Sequence, residues 1–304
     1  MKRALAVLLA SMLVAAGCGG SSSGSSGGGS SQTNMSAAEL LAASRAAAAK
    51  ATSAAFEVTI HLNLDGNLQG AGTASAFLQG PLSLSLKGEA GRASGSAATG
   101  KFDIHFAINF TGGSLQGEAL SPDGNTAYVQ MPTLLGPGWK SIDISKGSST
   151  AGGSSESQGL DELKALGLDP STWLANESVS SGGGADTISA DLDVAKLVAD
   201  LASASGSRVT AKDQKQLDEI PAAVKAAHAS ESFDQSSHLP TALSFELAFD
   251  VPSDLQRESN GLTGLDLKVD AAFSDWNKDF SVPTPSGATP FDSSGLFGGL
   301  SSGV

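Results

Sequence analysis

The sequence predicts an α+β fold in which one broad antiparallel sheet is covered on one face by short helices. Several segments alternate apolar and polar residues with a period of two, which is typical of strands that bury one face. Helical patterns occur in separate blocks of the chain, so the regular β-α-β alternation of a parallel sheet is missing. We therefore expect a single folded domain over residues 36–280.

The first part of this domain is predicted to be one helix followed by a meander of strands. Ser36 and Glu39 form a capping-box pattern, which predicts a helix that runs to about Thr52. The Ser-Pro-Asp-Gly-Asn sequence at residues 121–125 predicts a hairpin turn. The predicted strands of this part cover residues 56–64, 68–78, 82–86 and 102–110.

The rest of the domain is predicted to contain short helices and then further strands. Asp169-Pro170 is a helix start signal, and Asp193 precedes apolar residues at helical spacing. The predicted helices cover residues 160–166, 170–175 and 210–220 and the segment that begins after Asp193. The predicted strands cover residues 186–192, 243–251 and 265–273. Residues 281–304 are rich in Pro, Gly and Ser, and we expect a loose tail there.

The N-terminus has the pattern of an export signal. A basic Met1-Lys2-Arg3 precedes residues 4–16, which are apolar apart from Ser11. As a helix this stretch rises only about 20 Å, which is too short to cross a hydrocarbon core of about 30 Å. Residues 1–17 are therefore predicted to be a signal peptide and not a membrane-spanning helix.

The only cysteine of the chain follows this signal. Ala15-Ala16-Gly17 before Cys18 resembles the lipobox of bacterial lipoproteins, although the first of these positions more often carries leucine. The resemblance implies lipid attachment to the Cys18 thiol, as with palmitate, and cleavage of the signal just before it. We expect anchoring on the extracytoplasmic side of the cell membrane, with residues 18–35 as lipidated Cys and flexible Gly/Ser linker. The alternative is an ordinary secretory signal that is cleaved nearby.

The charge of the chain excludes some partners. The net charge is −13, and loss of Lys2 and Arg3 with the signal would leave 16 basic and 31 acidic residues, a net charge of −15. Such a protein repels nucleic-acid phosphates and anionic lipid surfaces. We therefore expect no nucleic-acid partner, and we expect membrane attachment to depend on the acyl chains of Cys18.

Recognisable catalytic or cofactor motifs are missing from the sequence. His61 and His105 fall on the polar faces of predicted strands, where solvated side chains are expected. Asp191 and Asp193 lack the following glycine and glutamate of a calcium loop. His228 and His238 show no metal-ligand spacing either. The sequence predicts no catalytic residue, no metal ligand, no cofactor and no enzyme, and the less favoured alternative is a hydrolase with an unmarked site.

Several segments together resemble a known lipoprotein family. They are Cys18 with its linker, the Ala-rich first helix, AAFEVTIHLNLDG, ADTISADLDVAKLVADL and LPTALSFELAFDV. In order and character they are similar to the actinobacterial LppX/LprA/LprF/LprG lipoproteins over roughly residues 36–280. The resemblance implies a half-open barrel, like that of the outer-membrane lipoprotein carriers, around several short helices. It also implies a hydrophobic cavity for acylated lipid or glycolipid and no catalytic residues.

The residues themselves allow such a cavity. Strands rich in Leu, Ile and Phe face helices rich in Ala, and thin helices fill the apolar face of a sheet incompletely. The expected lipid-cavity lining consists of Phe56, Val58, Ile60, Leu84, Phe102, Ile104, Phe106, Phe245, Leu247 and Val269. We therefore expect a lipoprotein that binds or transfers lipid. The alternative is a structural or interaction lipoprotein of the cell surface, with a solid core and no ligand.

Overall fold

The computed structural model describes residues 35–66, 80–92, 100–145, 170–204, 222–251, 253, 256 and 261–291. Several predictions lie outside the described residues. These are the signal peptide, Cys18 and its linker, the strand at 68–78, the helices at 160–166 and 210–220, and the end of the tail.

The described residues form a single 12-stranded sheet with few short helices. Its first strands are β1 Ser53–Gly66, β2 Leu82–Gly91, β3 Lys101–Phe110, β4 Gly113–Ser121, β5 Thr126–Gln130 and β6 Lys140–Asp143. The later strands are β7 Leu174–Gly182, β8 Ala185–Leu192, β9 Val224–Asp234, β10 Pro240–Asp250, β11 Leu262–Ser274 and β12 Thr289–Pro290. The described helices are α1 Ala37–Ala48, α2 Pro132–Leu135 and α3 Val194–Ala204, with a 3-10 turn at Pro170–Trp173.

The sheet consists of two meanders that meet at its centre. The strand order is β12-β6-β5-β4-β3-β2-β1-β11-β10-β9-β8-β7. All described neighbours are antiparallel except β12 and β6, which are parallel. The prediction of one curved antiparallel sheet is confirmed, and the sheet is not closed. Strands dominate more strongly than the sequence predicted, because segments expected to be helical or irregular also pair.

Helix α1 begins at the predicted position. The Ser36 hydroxyl accepts a hydrogen bond from the Glu39 N–H at 3.3 Å, and the Ser36 N–H donates to the Glu39 carboxylate at 2.8 Å. These two bonds form the capping box, which satisfies N–H groups that the first turn leaves without partners. The helix buries Leu40 in a cluster with Ile188 and Phe233. It therefore covers the end of the sheet formed by β8 and β9.

Sequence analysis missed β6, β7, β9 and β12, and the reasons are clearest for β7 and β9. The helix predicted for 170–175 is wrong, because only a 3-10 turn forms before β7 begins at Leu174. β7 is a polar edge strand, and edge strands lack the apolar alternation that marks buried ones. In β9 the positions that face the core include Ala227 and Ala229, which contribute to the same hydrophobic cluster as Leu197 of α3. Small residues there leave room for the helix. They also weaken the alternation of large apolar and polar residues by which a strand is recognised in the sequence.

The chain after β11 is fixed to the sheet. The Trp276 indole N–H donates to the Pro240 carbonyl at 2.9 Å, and the Asn277 N–H donates to the Ser53 carbonyl at 2.9 Å. β12 then pairs with β6. Sequence analysis placed β12 in a loose tail from Ser281. Its attachment depends on backbone hydrogen bonds, which need no apolar side-chain pattern.

Candidate functional site

The register of the strands places the ten predicted lining residues on one face of the sheet. Ile60 of β1 lies opposite Leu84 of β2 and opposite Val269 of β11, and Val269 lies opposite Phe245 of β10. Residues directly opposite each other in antiparallel strands share a face. The other lining residues follow by the period of two along each strand. We call this the inner face, and the lining residues span β3, β2, β1, β11 and β10 on it.

Half of the predicted lining residues lie in a closely packed core. Each of the five exposes 9% or less of its surface, and together they form one cluster with Trp173, Val194 and Leu197. The 3-10 turn and α3 therefore cover the inner face at this point, close to the central strands. The five residues are Val58, Ile60, Phe245, Leu247 and Val269.

The other predicted lining residues are only half-buried. Phe56 and Leu84 pack against the border of the core cluster. Leu84, Phe102, Ile104 and Phe106 share the inner face of the adjacent strands β2 and β3, and we call this set the apolar strip. The strip continues onto β4 at Gly117, where an added Cβ would lie 2.3 Å from the ring of Phe106. The missing side chain at Gly117 thus lets the aromatic ring of Phe106 lie flat on the neighbouring strand.

The inner face also carries a buried carboxylate that sequence analysis did not identify. Asp186 of β8 is only 1% exposed, and it accepts hydrogen bonds from the Ser181 hydroxyl at 2.5 Å and from the Gln235 side-chain amide at 3.0 Å. It lies opposite Phe233 of β9, beside the cluster of α1. Both donors bind its Oδ1, so hydrogen bonds hold this buried group in place, as is typical of a structural carboxylate. In the sequence, the only sign of this group was its position in β8, because alternate residues of that strand, Asp186 among them, face inward.

The outer face of the sheet is polar, and it carries three of the histidines. His61 and His105 are exposed on it, as the alternation predicted. His228 is also exposed, and its Nδ1 lies 2.8 Å from the Asp191 carboxylate. Asp191 accepts a second hydrogen bond from the side chain of Asn176 at 2.9 Å. The bonds from Asn176 and His228 lower the pKa of Asp191, so this carboxylate is ionised at neutral pH.

A second group of ionisable side chains meets on the outer face of β3 and β4. Asp103, His105 and Glu118 each place a possible ligand atom within 4.8 Å of the others. Sequence spacing did not reveal this group, because Glu118 approaches His105 only through the pairing of β3 with β4.

None of the helices in the described ranges is both long and apolar enough to cross a bilayer.

Comparisons with known proteins do not assign the chain to a family. No protein-family model matches it, and no curated protein does. Among solved structures, it is similar to the crystal structure of a DUF1329 family protein from Desulfovibrio piger, with 11% sequence identity and a TM-score of 0.22. That similarity covers 79% of this chain and 93% of the other. It is too weak to support a conclusion about fold or function.

Proposed function

We propose that this protein is an exported lipoprotein, anchored through acylated Cys18, that binds or transfers an acylated lipid or glycolipid. The ligand lies against the inner face of the sheet, in a hydrophobic cavity between sheet and helices. The proposal includes the half-open barrel architecture of the LppX/LprA/LprF/LprG lipoproteins, which the sequence resembles. It assigns no catalytic residue to the chain.

The observation that carries the proposal is the half-buried state of the apolar strip. Leu84, Phe102, Ile104 and Phe106 are large apolar side chains on the face that elsewhere forms the core, yet each keeps part of its surface accessible. Burial of apolar surface is worth about 25 cal/mol per Å², or about 0.8 kcal/mol per methylene. Binding of an acyl chain along this strip would therefore gain the burial free energy of several methylenes. It would also remove the remaining apolar surface of the strip from water.

The chemistry of the strip selects the acyl part of a ligand and not its headgroup. The strip contains aliphatic and aromatic side chains, so it offers non-directional contact instead of hydrogen bonds. The net charge of −13 disfavours an anionic headgroup near the protein. A glycolipid or another acylated lipid with an uncharged headgroup meets both conditions.

Native mass spectrometry of the chain from Cys18 to Val304, expressed in a bacterium and purified without detergent, tests the proposal. We expect a co-purified mass that releases fatty acid on hydrolysis. Ile104→Lys on the apolar strip should abolish this adduct, because a charge there must be desolvated. Ala107→Lys is the matched control, since it introduces the same charge on the opposite face of the same strand, and it should retain the adduct.

A protein of clean apo mass that also fails to take up added acylated lipid would contradict the proposal. That result would favour the second candidate, a structural or interaction lipoprotein of the cell surface. One specific observation supports this candidate: Val58, Phe245 and Val269 already form a closed core with Trp173 and α3. If the same packing extends over β2 and β3, each lysine variant will show only its own protein mass, with no adduct.

A further inference from the structure

Three residues with metal-binding side chains converge on the outer face of β3 and β4. His105 lies directly opposite Glu118, and Asp103 lies two residues before His105 on the same face. His105 Nε2 is 3.4 Å from Asp103 Oδ1 and 4.0 Å from Glu118 Oε1. The side chains of Asp103 and Glu118 are 28% and 30% exposed, so the carboxylates are largely sheltered, while that of His105 is 62% exposed.

These distances fit two ligand atoms of one ion better than they fit a hydrogen bond. An N–H···O bond has donor and acceptor at about 2.9 Å. Two ligands that each lie about 2.0–2.1 Å from a tetrahedral Zn²⁺ are about 3.3 Å apart. The separation of His105 Nε2 and Asp103 Oδ1 matches the second value, and only a small inward movement of Glu118 Oε1 is needed to match it as well.

An independent observation also points to a missing partner. Asp103 Oδ1 is shielded from solvent and accepts no hydrogen bond from the described residues; its polar neighbour is His105 Nε2 at 3.4 Å, an ion-pair contact when the imidazole is protonated. A sheltered carboxylate oxygen normally has a donor or a cation beside it, because desolvation without a partner costs free energy. A cation between Asp103, His105 and Glu118 would supply that partner.

The surroundings of the cluster favour a cation. On β2, Glu89 lies opposite Asp103 and Lys87 lies opposite His105. The Lys87 ammonium lies 3.5 Å from the carboxylate of Glu57 on β1, so an acid on the far side partly balances its charge. Among the described residues the acids at the site thus outnumber the nearby bases, since the other base, Lys101, donates to the Phe280 carbonyl.

We propose that Asp103, His105 and Glu118 bind one divalent transition-metal ion of the zinc class. The imidazole is a ligand of intermediate softness, which favours Zn²⁺ and its neighbours over Mg²⁺ or Ca²⁺. The remaining coordination positions face solvent and would hold water. The ion would connect β3 to β4 on the face opposite the apolar strip, and this inference is independent of the proposed lipid binding.

Metal titration of the chain from Cys18 to Val304 tests the site. We expect one equivalent of Zn²⁺ by calorimetry, and we expect Co²⁺ to give the visible d–d bands of a nitrogen- and oxygen-ligated ion. His105→Gln and Glu118→Gln should each weaken Zn²⁺ binding by more than about tenfold, since loss of even an outer partner of a ligand costs 10–100-fold. Saturating Zn²⁺ should also raise the Tm of the wild type but not that of either variant.

Two other histidine variants serve as matched controls. His61 is exposed on the same outer face, but it lies opposite Ser83 and Lys268 and has no facing carboxylate. His61→Gln should therefore leave Zn²⁺ affinity unchanged. His228→Gln removes the histidine beside Asp191 and should also leave the Zn²⁺ affinity unchanged. Wild-type protein without stoichiometric Zn²⁺ binding, or equal affinity after His105→Gln, would overturn the proposal and leave an ordinary ion pair at this position.

Discussion

Asp234 shows how a single residue fixes a turn at the end of β9. Its Oδ1 accepts hydrogen bonds from the hydroxyl groups of Ser236 and Ser237 and from both backbone N–H groups. These hydrogen bonds lower the pKa of Asp234 from 3.8 to about 2, and the bond from the Ser236 hydroxyl makes the largest contribution. Because the folded state holds this pKa below its unfolded value, the carboxylate stabilises the protein above about pH 4, and this contribution is lost as pH falls toward 2.

Substitution of Asp234 should therefore produce a pH-dependent loss of stability. We expect Asp234→Ala to lower Tm at pH 6, and we expect its difference from the wild type to shrink between pH 3.8 and pH 2. Calorimetric unfolding across that range measures the difference. Ser236→Ala removes only one donor and should show the same trend with smaller amplitude. A wild-type-to-variant difference that stays constant down to pH 2.5 would contradict the linkage.

What sequence analysis can predict at the scale of residues depends on how far apart the partners lie in the chain. The capping box of Ser36 and Glu39 was predictable, because both partners lie within one helical turn. The approach of Glu118 to His105 was not, because it depends on the register of β3 against β4. Alternation placed the lining residues on one face, but how closely helices cover each of them depends on tertiary packing.

At the scale of elements, α3 is the helix whose packing closes the core on the central strands. Leu197 is 4% exposed and lies in the cluster of Val58 and Phe245. Leu197→Ala should lower the free energy of unfolding by about 2–5 kcal/mol, through lost burial and the cavity that remains. Urea denaturation measures this loss. Leu134→Ala is the matched control, because Leu134 of α2 is 53% exposed. The free energy of unfolding of this variant should stay close to that of the wild type.

If Leu197→Ala costs no more than Leu134→Ala, α3 does not close the core, and the central part of the inner face is open as well.

The strands of the sheet were predictable to different degrees. β1, β3, β10 and β11 alternate strongly and were identified, since their inner residues are large and apolar. β9 was missed because its residues beneath the helix are small, and β7 was missed because an edge strand needs little apolar surface.

At the scale of the whole molecule, one sheet unites residues that are far apart in the chain. β1 pairs with β11 at its centre, and β12 returns to pair with β6 at one edge. Periodicity predicted a single domain with one antiparallel sheet. It did not predict this order of strands, because a repeat of two is equally compatible with any neighbour.

Under the proposed function the domain is attached to a membrane, and the charge of the chain bears on which kind of anchor can hold it there. The mature chain has a net charge of −15 if residues 1–17 are removed, and this charge disfavours electrostatic attraction to an anionic membrane as an anchor. A flexible Gly/Ser linker with the length of residues 19–35 would have an average reach of about 23 Å, so it would hold the domain near the surface without contributing a contact. Acyl chains on Cys18 would then carry all of the attachment.

Cys18→Ser should therefore release the protein from membranes. Expressed with its signal in a bacterium, the wild type should sediment with the membrane fraction and incorporate labelled palmitate, and the variant should do neither. Ser21→Ala, in the adjoining linker, is the matched control and should behave as the wild type does. Because two acyl chains are needed for stable anchoring, partial release of the wild type would indicate a single chain on the cysteine. Retention of Cys18→Ser in the membrane fraction would contradict the lipoprotein assignment and leave the apolar strip as the remaining candidate for membrane contact.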